Sequence, residues 1–199
     1  MAATVSEATS DRQTIDPEFL VEAIKSTTRE VCSTMLMMEA EPVFVRSAPP
    51  LRNSELRADR GGLVDGVLGI IGIAGTWVGT GLILCSPHLA CKASSAMMMS
   101  EHSTVDGAVL DAMGEIANMI IGNIKTMLED KYGSMGISVP TVVYGRNLAR
   151  RTISRGEWVI VGFHVAGGQQ LEIHLNLTPN PAPVARVPPG FVRTEPLLA

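Results

Sequence analysis

The chain has 199 residues, of which 46% are hydrophobic and 18% are charged, and its net charge is −4. This length and composition are typical of one sizeable globular domain and exclude a wholly disordered chain. The acidic balance also speaks against a general nucleic-acid-binding role. Residues 1–15 lack the basic and apolar segments of a signal peptide, so they are predicted to be a flexible leader.

The first element in the chain is a predicted helix. Asp16 is expected to cap it, Pro17 suits its first turn, and the apolar spacing continues to about Met38. A short apolar strand follows at Val43–Val45. Ser47–Gly62 is rich in proline and arginine and is predicted to be a loop.

Residues 66–85 carry no charge across 20 positions, which is long enough to raise the question of a membrane span. Six of these positions are glycine, and the segment 72–76 has the composition of a turn. Two buried strands, Leu63–Ile73 and Thr76–Cys85, fit this pattern better, so no membrane insertion is expected.

Two helices and a set of strands complete the pattern. Pro87 opens a helix that extends to about Met99, and a long helix covers residues 105–130 and ends at Tyr132-Gly133. Ile137–Tyr144 reads as a strand that Pro140 would confine to a sheet edge or a bulge.

The last predicted pair of strands is a hairpin, Trp158–Ala166 and Gln169–Leu177, with Gly167-Gly168 as a two-residue turn. Apolar residues alternate cleanly in its second strand, so one sheet face is expected to be solvated or to meet something polar. The order of elements predicts an α+β fold with a mainly antiparallel sheet packed by long helices. The domain is expected to span residues 16–177, followed by a proline-rich, disordered tail at 178–199.

Three cysteines, Cys32, Cys85 and Cys91, form no CxxC pair and are odd in number, which favours a reducing, cytoplasmic compartment. His88 lies between the last two, but no fourth ligand is evident, so buried thiols are preferred to a metal site. Two arginine clusters lie in loop-like sequence and are interpreted as solvated loops, with a partner contact as the alternative: Arg46, Arg52, Arg57, Arg60, and Arg146, Arg150, Arg151, Arg155.

The long helix of residues 105–130 carries two stripes. One is apolar and built for a core; the other steps through Asp111, Glu115, Asn118 and Gly122 and points outward. Glu115 and Asn118 are i,i+3 neighbours, and Asn has no capping role in mid-helix. A solvated face is one reading of this stripe. A binding face is the other, with Gly122 clearing space for an approaching backbone.

The stretch Asp111-x-x-x-Glu115-x-x-Asn118 is followed by Gly122-Asn123 and by Pro140, with 21 residues between Asn118 and Pro140. This pattern resembles the chemotaxis phosphatases of the CheC/CheX/FliY group. That signature consists of an acidic or Ser residue, ExxN and a later proline. The first helix contains no ExxN, so the chain resembles the single-site CheX type. The resemblance implies a CheC/CheX-like fold, a homodimer formed through strand pairing, and a phosphorylated CheY-type response regulator as substrate.

The resemblance also implies the site. Asn118 would orient the hydrolytic water, and Glu115 would pair with a lysine of the regulator; both are placed as catalytic residues. Asp111, Gly122 and Pro140 would support binding. No cofactor of its own is expected, since the regulator brings Mg²⁺. One alternative is a non-catalytic adaptor that binds a regulator or the flagellar switch. Another is a sensory domain that uses the glycine-rich hairpin.

Overall fold

The structure is a computed structural model that describes residues 14–48, 64–148 and 156–180. Most of the predicted leader (1–15), of the proline-rich tail (178–199) and of the loops at 47–62 and 146–155 lies outside these residues, and the domain limits at 16 and 177 stay predictions. The described residues form three helices and seven strands: α1 (Pro17–Met35), β1 (Ala40–Ala48), β2 (Val64–Gly75), β3 (Trp77–Cys85), α2 (Pro87–Met98), α3 (Gly107–Tyr132), β4 (Met135–Ile137), β5 (Thr141–Leu148), β6 (Trp158–Val165) and β7 (Gln169–Pro179).

The strands form one antiparallel sheet in the order β1-β6-β7-β3-β2, which confirms the predicted α+β class. β4 and β5 both pair with β2 along its remaining side. Pro140 lies in the connector between these two strands, where its missing N–H breaks no ladder hydrogen bond. The single strand predicted at 137–144 is therefore two strands, and both lie at an edge of the described sheet, which confirms the edge position predicted for this segment.

Several predicted boundaries were wrong. α1 ends at Met35 rather than Met38, and β1 is nine residues long instead of three. Arg46 lies in β1 and Arg146 in β5, so neither belongs to a loop. The hairpin turn after β6 contains three residues, with Ala166 at φ 48° beside the two glycines. A left-handed alanine is uncommon, which explains why the sequence pointed only to the glycines.

The three helices pack on one face of the sheet. Asp16 caps α1 as predicted, because its carboxylate accepts a hydrogen bond from the Glu18 N–H at 3.0 Å. α1 lies on β1 and β6, α2 contacts β2 and β7, and α3 crosses β2, β4 and β5. Tyr132 ties the end of α3 to the start of α1, since its hydroxyl accepts from the Asp16 N–H at 3.0 Å. The end of the helix that carries the predicted site is therefore anchored to α1.

On the opposite face of β7, His174 and Asn176 are covered and meet polar groups, so the second of the two expected alternatives is confirmed there and solvation is not. His174 and Asn176 are each only 3% exposed there. The His174 Nε2 lies 2.8 Å from the Glu172 carboxylate, and the Asn176 amide donates to the Glu157 carbonyl at 2.8 Å. Buried polar groups need such partners, and a single-sequence alternation pattern cannot reveal them.

Candidate functional site

The 26 residues of α3 provide the platform of the candidate site. Asp106 caps the helix by accepting a hydrogen bond from the Val109 N–H at 3.0 Å, and Gly133 ends it with φ +93°. Its core-facing side is buried as predicted, although Leu110 and Met127, which the helical period places on the same side, are only half-buried. The buried side fixes the rotation of α3 about its axis, so the remaining residues must face outward.

Asp111, Glu115 and Asn118 are all exposed on the outward side of α3. They follow one another at i+4 and i+3, which places them in one row over two turns. Across the segments that the structure describes, none of the three side chains forms a hydrogen bond or an ion pair within the chain. Two carboxylates and one amide therefore lie side by side on the surface of α3, where they are free to bind a partner molecule.

Gly122 differs from its predicted position. It is half-buried rather than facing open solvent, and a Cβ placed on it would lie 3.6 Å from the Ile137 Cδ1 atom of β4. That distance is an ordinary van der Waals contact, so packing within the chain does not require a glycine there. Gly122 therefore lies at the rim of the row, on the side of α3 that faces the edge strand β4.

Pro140 packs against α3 beside this row. A Cβ on Gly114 would lie 3.9 Å from the Pro140 Cβ and 3.5 Å from the Val142 Cγ2. Gly114 directly precedes Glu115 and lies one turn before Asn118, so Pro140 packs against the helix turn from which both predicted catalytic residues project. Sequence reasoning missed Gly114, although a glycine inside a long helix is itself a signal of close packing.

Two hydrogen bonds hold the connector Ser138–Pro140 to the sheet. The Ser138 N–H donates to the Gly72 carbonyl at 2.9 Å, and the Ser138 Oγ accepts from the Gly72 N–H at 2.9 Å. The Ser138 hydroxyl donates in turn to the Val139 carbonyl at 2.9 Å. The connector beside the row is thus fixed to β2, and Ser138 is a second residue that the sequence did not single out.

The far end of α3 is held to β4 by Glu129. Its carboxylate accepts from the Met135 N–H at 2.7 Å and from the Lys125 ammonium at 2.5 Å. These interactions, with that of Lys125 the largest, hold the pKa of Glu129 below its ordinary value of 4.5. Glu129 therefore fixes the strand from which the connector starts.

Comparison with known proteins assigns this arrangement to a family. A family model described as "Chemotaxis phosphatase CheX" matches residues 67–164. The CheY-P phosphatase CheX of Thermotoga maritima is 32% identical over 109 residues, which cover 54% of this chain and 69% of that protein. The chain belongs to the CheX family. The predicted resemblance is confirmed, and all five predicted site residues fall inside the matched segment.

Solved CheX structures share the fold of this CheX-family chain. The chemotaxis protein CheX from Vibrio vulnificus has a TM-score of 0.66 at 23% identity, covering 80% of this chain and 99% of that one. A CheX-CheY-BeF3-Mg²⁺ complex from Borrelia burgdorferi has a TM-score of 0.60 at 25% identity, covering 82% and 99%. The α+β arrangement with a seven-stranded sheet is thus that of CheX proteins.

The cysteines of this CheX-family chain are buried free thiols, as the sequence predicted. Burial raises the pKa of the Cys32 thiol to about 11, and burial together with Cys91 raises that of Cys85 to about 12. These two thiols are protonated at neutral pH and are poor nucleophiles. Residues 14–48, 64–148 and 156–180 contain no group of three or more His, Cys, Asp or Glu side chains that could hold a metal ion. No helix among them is long and apolar enough to cross a membrane.

Proposed function

We propose that this chain hydrolyses the phosphoaspartate of a CheY-type response regulator and that Asn118 orients the attacking water. The observation that carries the proposal is the exposed pair Glu115 and Asn118, one turn apart on α3 within the family-matched segment. The Thermotoga relative is named a CheY-P phosphatase, and the Borrelia neighbour was solved in complex with CheY. Both names support a regulator as the substrate.

An aspartyl phosphate is an acyl phosphate and is already labile, so little covalent chemistry is left for the protein. Phosphoryl transfer passes through a loose transition state, in which positioning and electrostatics matter more than a strong base. The Asn118 amide offers both a donor and an acceptor, which is what holding one water in line requires. A neutral amide also avoids repulsion with the phosphoryl oxygens.

Glu115 has a different role from Asn118 in this proposal. A carboxylate is poorly suited to the in-line position, because its charge opposes that of the phosphoryl group. Glu115 instead pairs with the lysine of the regulator's phosphorylation site and so orients the complex. Asp111 lies one turn earlier and extends the same negative row, which adds to the attraction. Both side chains are exposed and have no partner in the described chain that would compete.

Magnesium comes with the regulator in this proposal, and the chain has no cofactor of its own. When bound to the regulator, the ion neutralises charge on the phosphoryl oxygens. The Borrelia complex names Mg²⁺ and BeF3 together with CheX and CheY. Pro140 supports the site by fixing the backbone against Gly114, and Gly122 leaves room at the rim for the regulator's backbone.

We also propose a homodimer and a cytoplasmic location, where response regulators act. β1 and the β4–β5 side are the two sheet edges among the described strands, and an unpaired strand edge is a ready surface for a second copy. Sedimentation equilibrium of the full chain tests the dimer: a mass near twice 21.2 kDa is expected. A single species at 21.2 kDa would contradict it.

The decisive experiment measures phosphate release from CheY-type receivers of the same genome, each charged with acetyl phosphate in Mg²⁺. Wild type is compared with Asn118→Ala and with Asp130→Ala, an exposed polar residue on the same helix that lies outside the site. We expect Asn118→Ala to lower kcat by about 10²–10⁴-fold, as the loss of one positioned group does, while Asp130→Ala leaves it unchanged.

Two results would count against the proposal. Equal loss in both variants would mean that Asn118 has no special role in orienting water. Binding of a charged receiver without any acceleration by wild type would favour the adaptor function, since a pure adaptor binds the regulator without hydrolysing it.

A further inference from the structure

Three apolar side chains stand out on the described surface because they are almost fully exposed. These are Met37 at 87%, Met99 at 93% and Val139 at 86%. The two methionines follow the ends of α1 and α2 and have left-handed φ values of 54° and 51°. Such a residue ends a helix by turning the chain away, so its exposure is a consequence of the helix stop. Val139 has no comparable explanation.

Val139 is held rigidly in its exposed position. It lies between Ser138, which exchanges two hydrogen bonds with Gly72, and Pro140, whose φ is fixed by its ring. Its own carbonyl accepts a hydrogen bond from the Ser138 hydroxyl. A β-branched side chain also has few rotamers. An apolar group fixed in this way loses little entropy when a partner covers it.

Val139 is close in the chain to a residue that packs beside the proposed active face, which is the outward row of Asp111, Glu115 and Asn118 on α3. The next residue, Pro140, packs beside Gly114, which immediately precedes Glu115 on α3. Val139 therefore lies at the edge of the sheet, one residue before the point where the connector packs against the helix turn that carries Glu115. In the proposed complex, the surface of a regulator seated over Glu115 and Asn118 extends to this edge and covers the Val139 side chain.

We propose that Val139 is an apolar docking anchor that packs against an apolar patch at the rim of the regulator's phosphorylation site. The inference rests on the proposed function, because it takes the regulator as the occupant of this face. Valine offers no hydrogen bond and no charge, so burial is its only favourable interaction with a partner. Glu115 would thus contribute electrostatic orientation and Val139 the desolvated contact beside it.

The test combines steady-state kinetics with binding. Wild type, Val139→Asp and Val139→Leu are compared for phosphate release from an acetyl-phosphate-charged CheY-type receiver of the same genome. Affinity is measured separately for that receiver loaded with Mg²⁺ and BeF3. Met99→Asp is the matched control, since it places the same charge at another exposed apolar position. Thermal unfolding and sedimentation are recorded for every variant.

Val139→Asp is expected to raise KM and the dissociation constant about tenfold, equivalent to ~1.4 kcal/mol, with kcat unchanged. Val139→Leu should retain near-wild-type affinity, because it keeps an apolar side chain. Met99→Asp should change neither constant. The melting temperature should be unaffected in all variants, since the replaced side chains are exposed.

Three outcomes would overturn the inference while leaving the proposed function intact. One is an unchanged KM in Val139→Asp, and another is a loss confined to kcat. The third is a change of mass in sedimentation that accompanies the lost affinity, which would assign Val139 to self-association. Failure of wild type to accelerate phosphate release from any receiver of the genome would instead overturn the proposed function, and the anchor with it.

Discussion

Ser138 and Gly72 bind each other through both the main chain and the serine hydroxyl, with both N···O distances at 2.9 Å. The pair joins the Ser138–Pro140 connector to the last third of β2. Removing the hydroxyl leaves the Gly72 N–H without this acceptor. Because Ser138 is exposed, water can replace part of the lost bond.

Ser138→Ala is therefore expected to lower the free energy of unfolding by about 0.5–1.5 kcal/mol, the range of a net hydrogen bond. Urea denaturation measures the change. Ser33→Ala is the control, because that exposed hydroxyl bonds only to the Glu30 carbonyl of its own helix. An equal loss in both variants would show that the bond to Gly72 adds nothing beyond a local one.

Glu115→Ala is expected to weaken the complex with a charged regulator about tenfold, since a charge pair at an interface is lost. The loss should shrink as salt is added, because screening already weakens the wild-type pair. Asp130→Ala, another exposed acid on α3, should leave affinity unchanged. Titration of the receiver at low and high ionic strength measures both. A salt-independent loss would contradict a charge-pairing role for Glu115.

The sequence predicted elements whose signals are local. The Asp16 cap, the outward row of Asp111, Glu115 and Asn118, and the α+β order all depend on residues a few positions apart. Helix period and capping chemistry are sufficient for these. The family resemblance added the site hypothesis, whose residue roles stay predictions.

The structure was needed for features that depend on distant residues. The packing of Pro140 beside Gly114 joins positions 26 apart, and the Ser138–Gly72 bonds join positions 66 apart. The half-buried position of Gly122 follows from where β4 lies, which no helix pattern encodes. The burial of the His174 side chain also results from tertiary packing.

Gly122→Ala is expected to change stability and regulator binding in opposite senses, raising the first and weakening the second. The added Cβ meets the Ile137 Cδ1 at an ordinary 3.6 Å, so no clash opposes the substitution. Alanine is the better helix former, and the free energy of unfolding should rise by up to ~1 kcal/mol. If the regulator's backbone approaches this rim closely, KM should rise at the same time.

Gly107→Ala is the control for this pair of effects. A Cβ on Gly107 would have nothing within 4 Å, and the residue lies four turns before Gly122 on α3. Its substitution should leave KM unchanged. Denaturation and phosphate release measured on the same preparations give both quantities. A stabilised Gly122→Ala protein with wild-type KM would remove the reason for assigning this glycine to the binding surface.

Glu129 predicts a specific pH dependence of stability. Its pKa is lowered in the folded chain by the Lys125 ammonium first and by the Met135 N–H second. A lowered folded pKa means that the stabilisation is fully present above the unfolded value and is lost as pH falls through the folded one. Glu129→Gln should therefore be less stable than wild type at neutral pH, and the difference should shrink below about pH 4.

Urea denaturation of both proteins from about pH 3 to pH 7 measures this difference. Asp130→Asn is the matched control, since this neighbouring acid is exposed and is not hydrogen-bonded to β4. A difference that stays constant with pH would mean that Glu129 acts through its size or its neutral hydrogen bonds. In that case its charge would not be what holds the end of α3 to β4, the strand from which the Ser138–Pro140 connector begins.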